Sequence, residues 1–139
     1  MAPKTFRHEL TSELASLSRV EVLVDKAAGL MGFSEDERDN LAIALTEAAG
    51  NAIVHGNKLN PDKKIVILFR VKDKKTLEVS VRDQGSGFNP DALMDPTRPE
   101  NLLKESGRGI FILKTLMDDV RFDFSKSGTT LSFTIRKKS

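Results

Sequence analysis

Thr46-Glu-Ala-Ala-Gly-Asn-Ala-Ile-Val-His-Gly56 is the stretch around which the rest of this chain is organised. Glu47 and Asn51 are four residues apart, so on a helix they share one face, and small Ala48, Ala49, Gly50 and Ala52 leave room beside them. A carboxylate next to a carboxamide suits phosphoryl transfer: one group positions a hydroxyl or water, and the other gives an oxygen to Mg²⁺. The same spacing also occurs on many solvated helix faces. Two stretches downstream give it weight, Asp83-Gln-Gly-Ser-Gly-Phe88 and Gly107-Arg-Gly-Ile110.

Upstream of that stretch, Ser34-Glu-Asp-Glu37 has the form of a capping box, so a helix is expected from there to Gly56, burying Leu41, Ala44, Leu45, Ala48 and Ala52. An earlier helix follows from Val20, Leu23, Val24, Ala27 and Met31, with Thr11 or Ser12 as its cap and Gly32 as its stop. Arg19, Asp25 and Lys26 fall on its outer side. Residues 4–10 alternate loosely, as in an edge strand.

Downstream, Ile65 to Val71 is a nearly continuous apolar run, as in a strand covered at least in part on both sides. Asp73-Lys-Lys-Thr76 turns the chain back, and Leu77, Val79 and Val81 alternate with polar residues. Asp83 keeps the inward parity. A carboxylate carried to the end of a buried face needs donors, for which a ligand amino group is suited; the alternative is a turn before Gly85. From Phe88 to Ser106 there is no period, and Pro90, Pro96 and Pro99 interrupt the chain, as in a lid.

Gly107-Arg-Gly then opens a third helix, with Ile110, Leu113, Leu116 or Met117, and Val120 inward. Its unpaired N–H groups and positive dipole end suit phosphates, and a plain tight turn explains the glycines equally well. Val120, Phe122 and Phe124, then Leu131, Phe133 and Ile135, alternate about Ser125-Lys-Ser-Gly128 as a final hairpin. The fold expected is α+β: a two-layer sandwich whose antiparallel-rich, mixed sheet carries three main helices on one face. Glu78, Ser80, Arg82, Arg121, Asp123, Ser132 and Thr134 would line the open face.

The 139 residues, 39% hydrophobic, suffice for one domain over 1–139. Twenty-two Lys and Arg against twenty Asp and Glu leave +2, too balanced to argue for nucleic acid. There is no cysteine for a disulfide or a thiolate metal site. With no apolar run of signal-peptide or membrane-spanning length, the expectation is a soluble, cytoplasmic protein.

Taken together, the three motifs resemble those of the GHKL ATPase superfamily, which has the Bergerat ATP-binding fold, and within it the bacterial anti-sigma-factor serine kinases. Glu47-x-x-x-Asn51 with Ala-Ile-x-His-Gly is similar to the family's N box, Asp83-x-Gly-x-Gly-Phe88 to its first glycine box, and Gly107-Arg-Gly-Ile-Phe to its second. The resemblance implies ATP and Mg²⁺ as ligands. It implies that Asn51 coordinates Mg²⁺, that Glu47 is the general base, and that Asp83 accepts from the adenine amino group. Gly85 and Gly87 would let the backbone approach the nucleotide. Gly107 and Gly109 would wrap the phosphates, with Arg108 as a cationic contact, and Thr129 would lie near adenine.

The resemblance also carries expectations about partners. The substrate would be a STAS-type anti-anti-sigma protein, with a sigma factor as a second partner and a homodimer as the assembly. The competing class is a nucleotide-dependent binding switch without relevant phosphotransfer. A sensor histidine kinase, suggested by Phe6-Arg-His-Glu-Leu10, is set aside because only one expected helix separates His8 from the helix bearing Glu47.

Overall fold

The computed structural model describes residues 4–84, 109–125 and 127–138. Strand β1 (Lys4–Thr11) leads through a single 3₁₀ turn (Leu14–Leu17) into α1 (Ser18–Met31) and α2 (Glu35–Asn51). A π-helical turn (Ala52–Gly56) follows, then β2 (Lys64–Val71), β3 (Thr76–Arg82), α3 (Gly109–Leu116), β4 (Asp118–Ser125) and β5 (Gly128–Arg136). The sheet order is β1-β2-β3-β5-β4, and all four pairings are antiparallel.

The expected mixed sheet therefore contains no parallel pair among the described strands. Two antiparallel helices return the chain to the end of the sheet where β1 finished, so β2 runs opposite to β1. Strand β4, which follows α3, runs the same way as β3, with β5 inserted between them. The end of β1, the start of β2, the end of β3 and the start of β5 consequently gather at one end of the sheet, called its head here.

The apolar positions expected of the helices are those that fill the core. Val20, Leu23, Val24, Ala27 and Met31 of α1, and Leu41, Ala44, Leu45 and Ala48 of α2, are buried against Ile65, Ile67, Phe69, Leu77, Val79, Val81, Leu131, Phe133 and Ile135. Leu113 and Met117 close the same core from α3 and its end. Truncating any fully buried leucine here, Leu45 for example, costs about 2–5 kcal/mol.

Four expectations change. Neither Thr11 nor Ser12 caps α1, whose start has no side-chain cap. Thr11 Oγ1 instead meets Ser16 Oγ at 2.8 Å, and Ser12 is buried, with its hydroxyl on Asn57. The strand β2 alternates between buried and half-buried or exposed positions, since its second face lies on the open side of the sheet. Thr134, placed with the open polar face, is buried between its cross-strand neighbours Glu78 and Asp118. Finally, α-helical geometry ends at Asn51, and the remaining residues to Gly56 form the π turn.

The opposite end of the sheet, its foot, is locked by polar contacts. Gly32 stops α1 in the left-handed region, at φ 68°. Ser34 and Glu37 form the full capping box: Glu37 N–H donates to Ser34 Oγ at 3.1 Å, and Ser34 N–H donates to Glu37 Oε1 at 2.8 Å. The second oxygen of Glu37 accepts from Lys138 N–H at 2.7 Å, tying the exit of β5 to the start of α2. Arg38 reaches from α2 to Glu21 and Asp25 of α1 at 2.5 and 2.8 Å. These pairs face solvent, which screens them, so they orient the two helices more than they stabilise them.

On β1, the His8 ring meets Phe69 edge-on at 5.8 Å. Burial, then the charges of Lys26 and Arg19, hold its imidazole below the ordinary histidine value.

Backbone N–H donors, first from Ser34 and then from Lys138, depress the Glu37 pKa below the ordinary glutamate value. A depressed carboxylate stabilises the fold above its unfolded pKa and loses that contribution as pH falls through the folded value. Glu37→Ala is expected to lower unfolding free energy in urea by about 1–3 kcal/mol at neutral pH. The deficit should shrink as pH is lowered from about 6 to about 3. A deficit that stays constant across that range would show that the charge of Glu37 contributes nothing.

Candidate functional site

The face of α2 that carries Glu47 and Asn51 is half-buried at both residues, as their four-residue spacing requires. Just beyond Asn51 the helix widens. Asn57 N–H donates five residues back to Ala52 O at 2.8 Å, and Leu59 N–H donates to Ile53 O at 2.8 Å. A π turn of this kind inserts one residue into the helical register and re-aims the residues after it. Lys58 and Leu59 then take positive φ values of 54° and 59°, reversing the chain toward β2.

Asn51 Nδ2 is buried and has no hydrogen-bond partner among the described residues. An unmade bond of this type costs about 1–3 kcal/mol, so a native chain keeps one where a ligand completes it. A phosphate oxygen would do so, leaving the carbonyl oxygen of the same carboxamide for a cation.

No cluster of three or more His, Cys, Asp or Glu among the described residues has the form of a metal site. Mg²⁺ keeps several waters and is commonly held by one or two side chains together with substrate phosphates, so an Asn51 oxygen fits its needs.

Asp83 lies one residue past the last ladder residue of β3 and is 5% exposed. Its N–H donates to Thr129 O at 2.9 Å, and its Oδ1 accepts from Thr129 N–H at 3.0 Å. The carboxylate is therefore fastened to the first residues of β5. Two glycines make this possible. At Gly56, a Cβ would overlap the Asp83 side chain, and at Gly128, with φ 147°, it would overlap the Asp83 carbonyl oxygen. Any larger residue at either place would push Asp83 from the end of the strand.

Asn57, which the sequence pattern does not single out, is 1% exposed and joins three strands. Its Nδ2 donates to Ser12 Oγ at 2.6 Å and to Lys64 O at 3.0 Å, while its Oδ1 accepts from Gln84 N–H at 2.7 Å. Gln84 Oε1 in turn accepts from Lys64 N–H at 2.7 Å. An asparagine just after a helix-ending glycine looks like an ordinary turn residue. The one sequence signal is that Ser12 and Asn57 both follow the expected ends of elements that must meet.

The structure thus brings Asp83 and Thr129 into direct contact, and joins them through Gly56 to the end of the helix that carries Glu47 and Asn51. Gly109 is the first residue of α3. His55 is exposed at the end of the π turn, and Arg19 is exposed on α1. Gly85, Gly87, Gly107, Arg108 and the expected lid from Phe88 to Ser106 lie outside the described residues.

Residues 10–135 match the model of the histidine kinase-like ATPase domain family. The serine-protein kinase RsbW of Bacillus subtilis (strain 168) is 33% identical over 121 residues, covering 83% of this chain and 74% of that protein. An anti-sigma F factor of Bacillus cytotoxicus is 31% identical over 137 residues, covering 92% of both chains.

Among solved structures, the RsbU and RsbW domains of a Mycobacterium tuberculosis protein superpose with a TM-score of 0.70 at 17% identity. That match covers 96% of this chain and 32% of the larger one, and at such identity it supports the fold. The catalytic domain of the histidine kinase ThkA superposes with a TM-score of 0.53 at 20% identity, covering 99% and 98% of the two chains. With the family model spanning nearly all of the sheet and helices, and with its curated relatives being serine-protein kinases and an anti-sigma factor, the chain belongs to the histidine kinase-like ATPase domain family, GHKL type.

Proposed function

We propose that this protein is an ATP- and Mg²⁺-dependent serine kinase that phosphorylates a STAS-type anti-anti-sigma protein in the cytoplasm and also binds a sigma factor. The observation that carries the nucleotide part is the buried Asp83, held at the head of the sheet by Thr129 and the two glycines, beside the helix bearing the orphaned Asn51 amide. Asp83 accepts from the adenine amino group, with Thr129 beside the base. Asn51 faces the phosphates and holds Mg²⁺, which when bound neutralises charge on the phosphate oxygens. Gly85, Gly87, Gly107, Arg108 and Gly109 complete the nucleotide contacts.

Glu47, four residues before Asn51 on the same face, takes the proton of the incoming serine hydroxyl. The serine oxygen forms its bond to the γ-phosphorus as the bond to the ADP oxygen breaks. The names of the serine-protein kinase and anti-sigma F relatives support the two partner classes. The reading includes a homodimer. Strand β1 ends the sheet order and carries Phe6, an exposed apolar residue, and Val22 on α1 is exposed as well.

Mg-ATP is expected to raise the melting temperature, since a ligand selective for the folded state stabilises it by about 2.7 kcal/mol at one hundred times its dissociation constant. Asp83→Ala and Asn51→Ala should each remove most of that shift. An unchanged melting temperature for the parent protein at millimolar Mg-ATP would defeat the nucleotide reading.

Glu47→Gln separates chemistry from binding. ATP affinity should stay within a few-fold of the parent, while transfer of radiolabel to the STAS-type partner should fall by about 10²-fold or more. Equal labelling by parent and variant would remove Glu47 as the base. If the parent binds ATP but labels no candidate partner, the binding switch replaces the kinase.

A further inference from the structure

We propose that Asn57 is a positioning residue that sets adenine selectivity by fixing the peptide group on the far side of Asp83. The inference rests on the reading of Asp83 as the base-recognising carboxylate. Two peptide units flank Asp83. The one before it is held by β5, through the Asp83 N–H and Thr129 O. The one after it is gripped by a side chain from another element, Gln84 N–H donating to Asn57 Oδ1 at 2.7 Å. That second bond restrains ψ of Asp83, and with it the direction in which the carboxylate leaves the strand.

The rest of Asn57 is arranged to keep Oδ1 in place. Both hydrogens of Nδ2 are used, one on Ser12 Oγ at the end of β1 and one on Lys64 O at the start of β2. Its backbone N–H is bonded to Ala52 O, and its carbonyl accepts from Asn60 N–H at 3.1 Å. A primary amide has two donors and one acceptor oxygen, so the orientation with Oδ1 toward Gln84 is the one these partners permit.

Such a network does more than stabilise. It ties the end of the helix that carries Glu47 and Asn51 to the exit of β3, so the phosphate side and the base side of the site keep a constant spacing. A carboxylate distinguishes a donor from an acceptor on a purine only if its placement holds, because a hydrogen bond weakens steeply once its distance and angle leave the favourable range.

The test compares dissociation constants for ATP and ITP, measured by calorimetry with Mg²⁺ on the full chain. ITP has an oxo group where ATP has the amino group. The parent should prefer ATP, and Asp83→Ala should abolish the preference. Asn57→Ala is expected to reduce the ATP-over-ITP ratio by about tenfold or more. Ser12→Ala removes one acceptor of the network but leaves the bond to Gln84, so it should lower the melting temperature and hold the ratio within about twofold.

If Asn57→Ala keeps the parent ratio while Asp83→Ala loses it, the positioning role is overturned. It is overturned equally if Ser12→Ala erodes the ratio as far as Asn57→Ala does, since the effect would then be general loosening. If Asp83→Ala retains the parent's affinity and preference, the fault lies with the nucleotide reading itself. Should Asn57→Ala fail to fold, Asn57→Ser decides, because its hydroxyl is one bond shorter than the amide, which withdraws the acceptor from Gln84 N–H while a polar group stays in the buried position. A tenfold loss supports the proposal, and an unchanged ratio overturns it.

Discussion

A carboxylate buried at the end of a core strand is the constraint on which the head of this molecule depends. Left without donors, Asp83 would oppose folding by several kcal/mol, and it would move outward into water. Its Oδ1 is instead bonded to Thr129 N–H, and its backbone continues the β3–β5 pairing one residue beyond the last ladder pair of Arg82 and Thr130. The space it occupies exists because positions 56 and 128 carry no Cβ. The two glycines, one ending a helix and one opening a strand, are thus both consequences of a single buried charge.

The topology explains why this charge has useful neighbours. An even number of helices between β1 and β2 returns the chain to the head of the sheet, where the end of α2 meets the end of β3. The polar groups that stabilise without facing a site collect at the foot instead: Glu37 with Ser34 and Lys138, and Gly32 against the flexible end of Lys137. Hydrophobic burial between the layers holds the two ends in register, since Phe133, Leu45 and Ile67 leave no freedom for one layer to slide over the other. Stability is concentrated at one end and in the core, and at the other end the Asn51 amide has no partner among the described residues.

The π turn at Ala52–Gly56 is where these two demands meet. An α-helical continuation would have carried Gly56 about 100° further round the axis per residue gained or lost, away from Asp83. The wider turn also delivers Asn57 into the gap between three strand ends. Local helix geometry is given up over five residues, and a junction of β1, β2 and the β3 exit is gained.

Much of this was legible in the chain itself. The capping box at Ser34 and Glu37, the stop at Gly32 and the 3.6-residue apolar stripe of α1 are local signals, each decided by a few neighbouring residues, and the helices obey them. Alternation likewise identified β3 and β5, and the parity of Asp83 with Leu77, Val79 and Val81 placed it inward before any partner was known. The features that the chain alone did not reveal depend on residues far apart in sequence. Ser12 looks like a helix cap until Asn57, forty-five residues later, arrives to claim its hydroxyl. The apolar run of β2 looks doubly covered until the described helices settle on one face. Gly56 and Gly128 look like a helix end and a hairpin turn until Asp83 lies against both. Local sequence decided which elements form and which face each buries, because those choices rest on short-range sterics and periodicity. The tertiary structure alone decided which polar groups meet at the head of the sheet, because hydrogen bonds between strand ends exist only once every strand is in register.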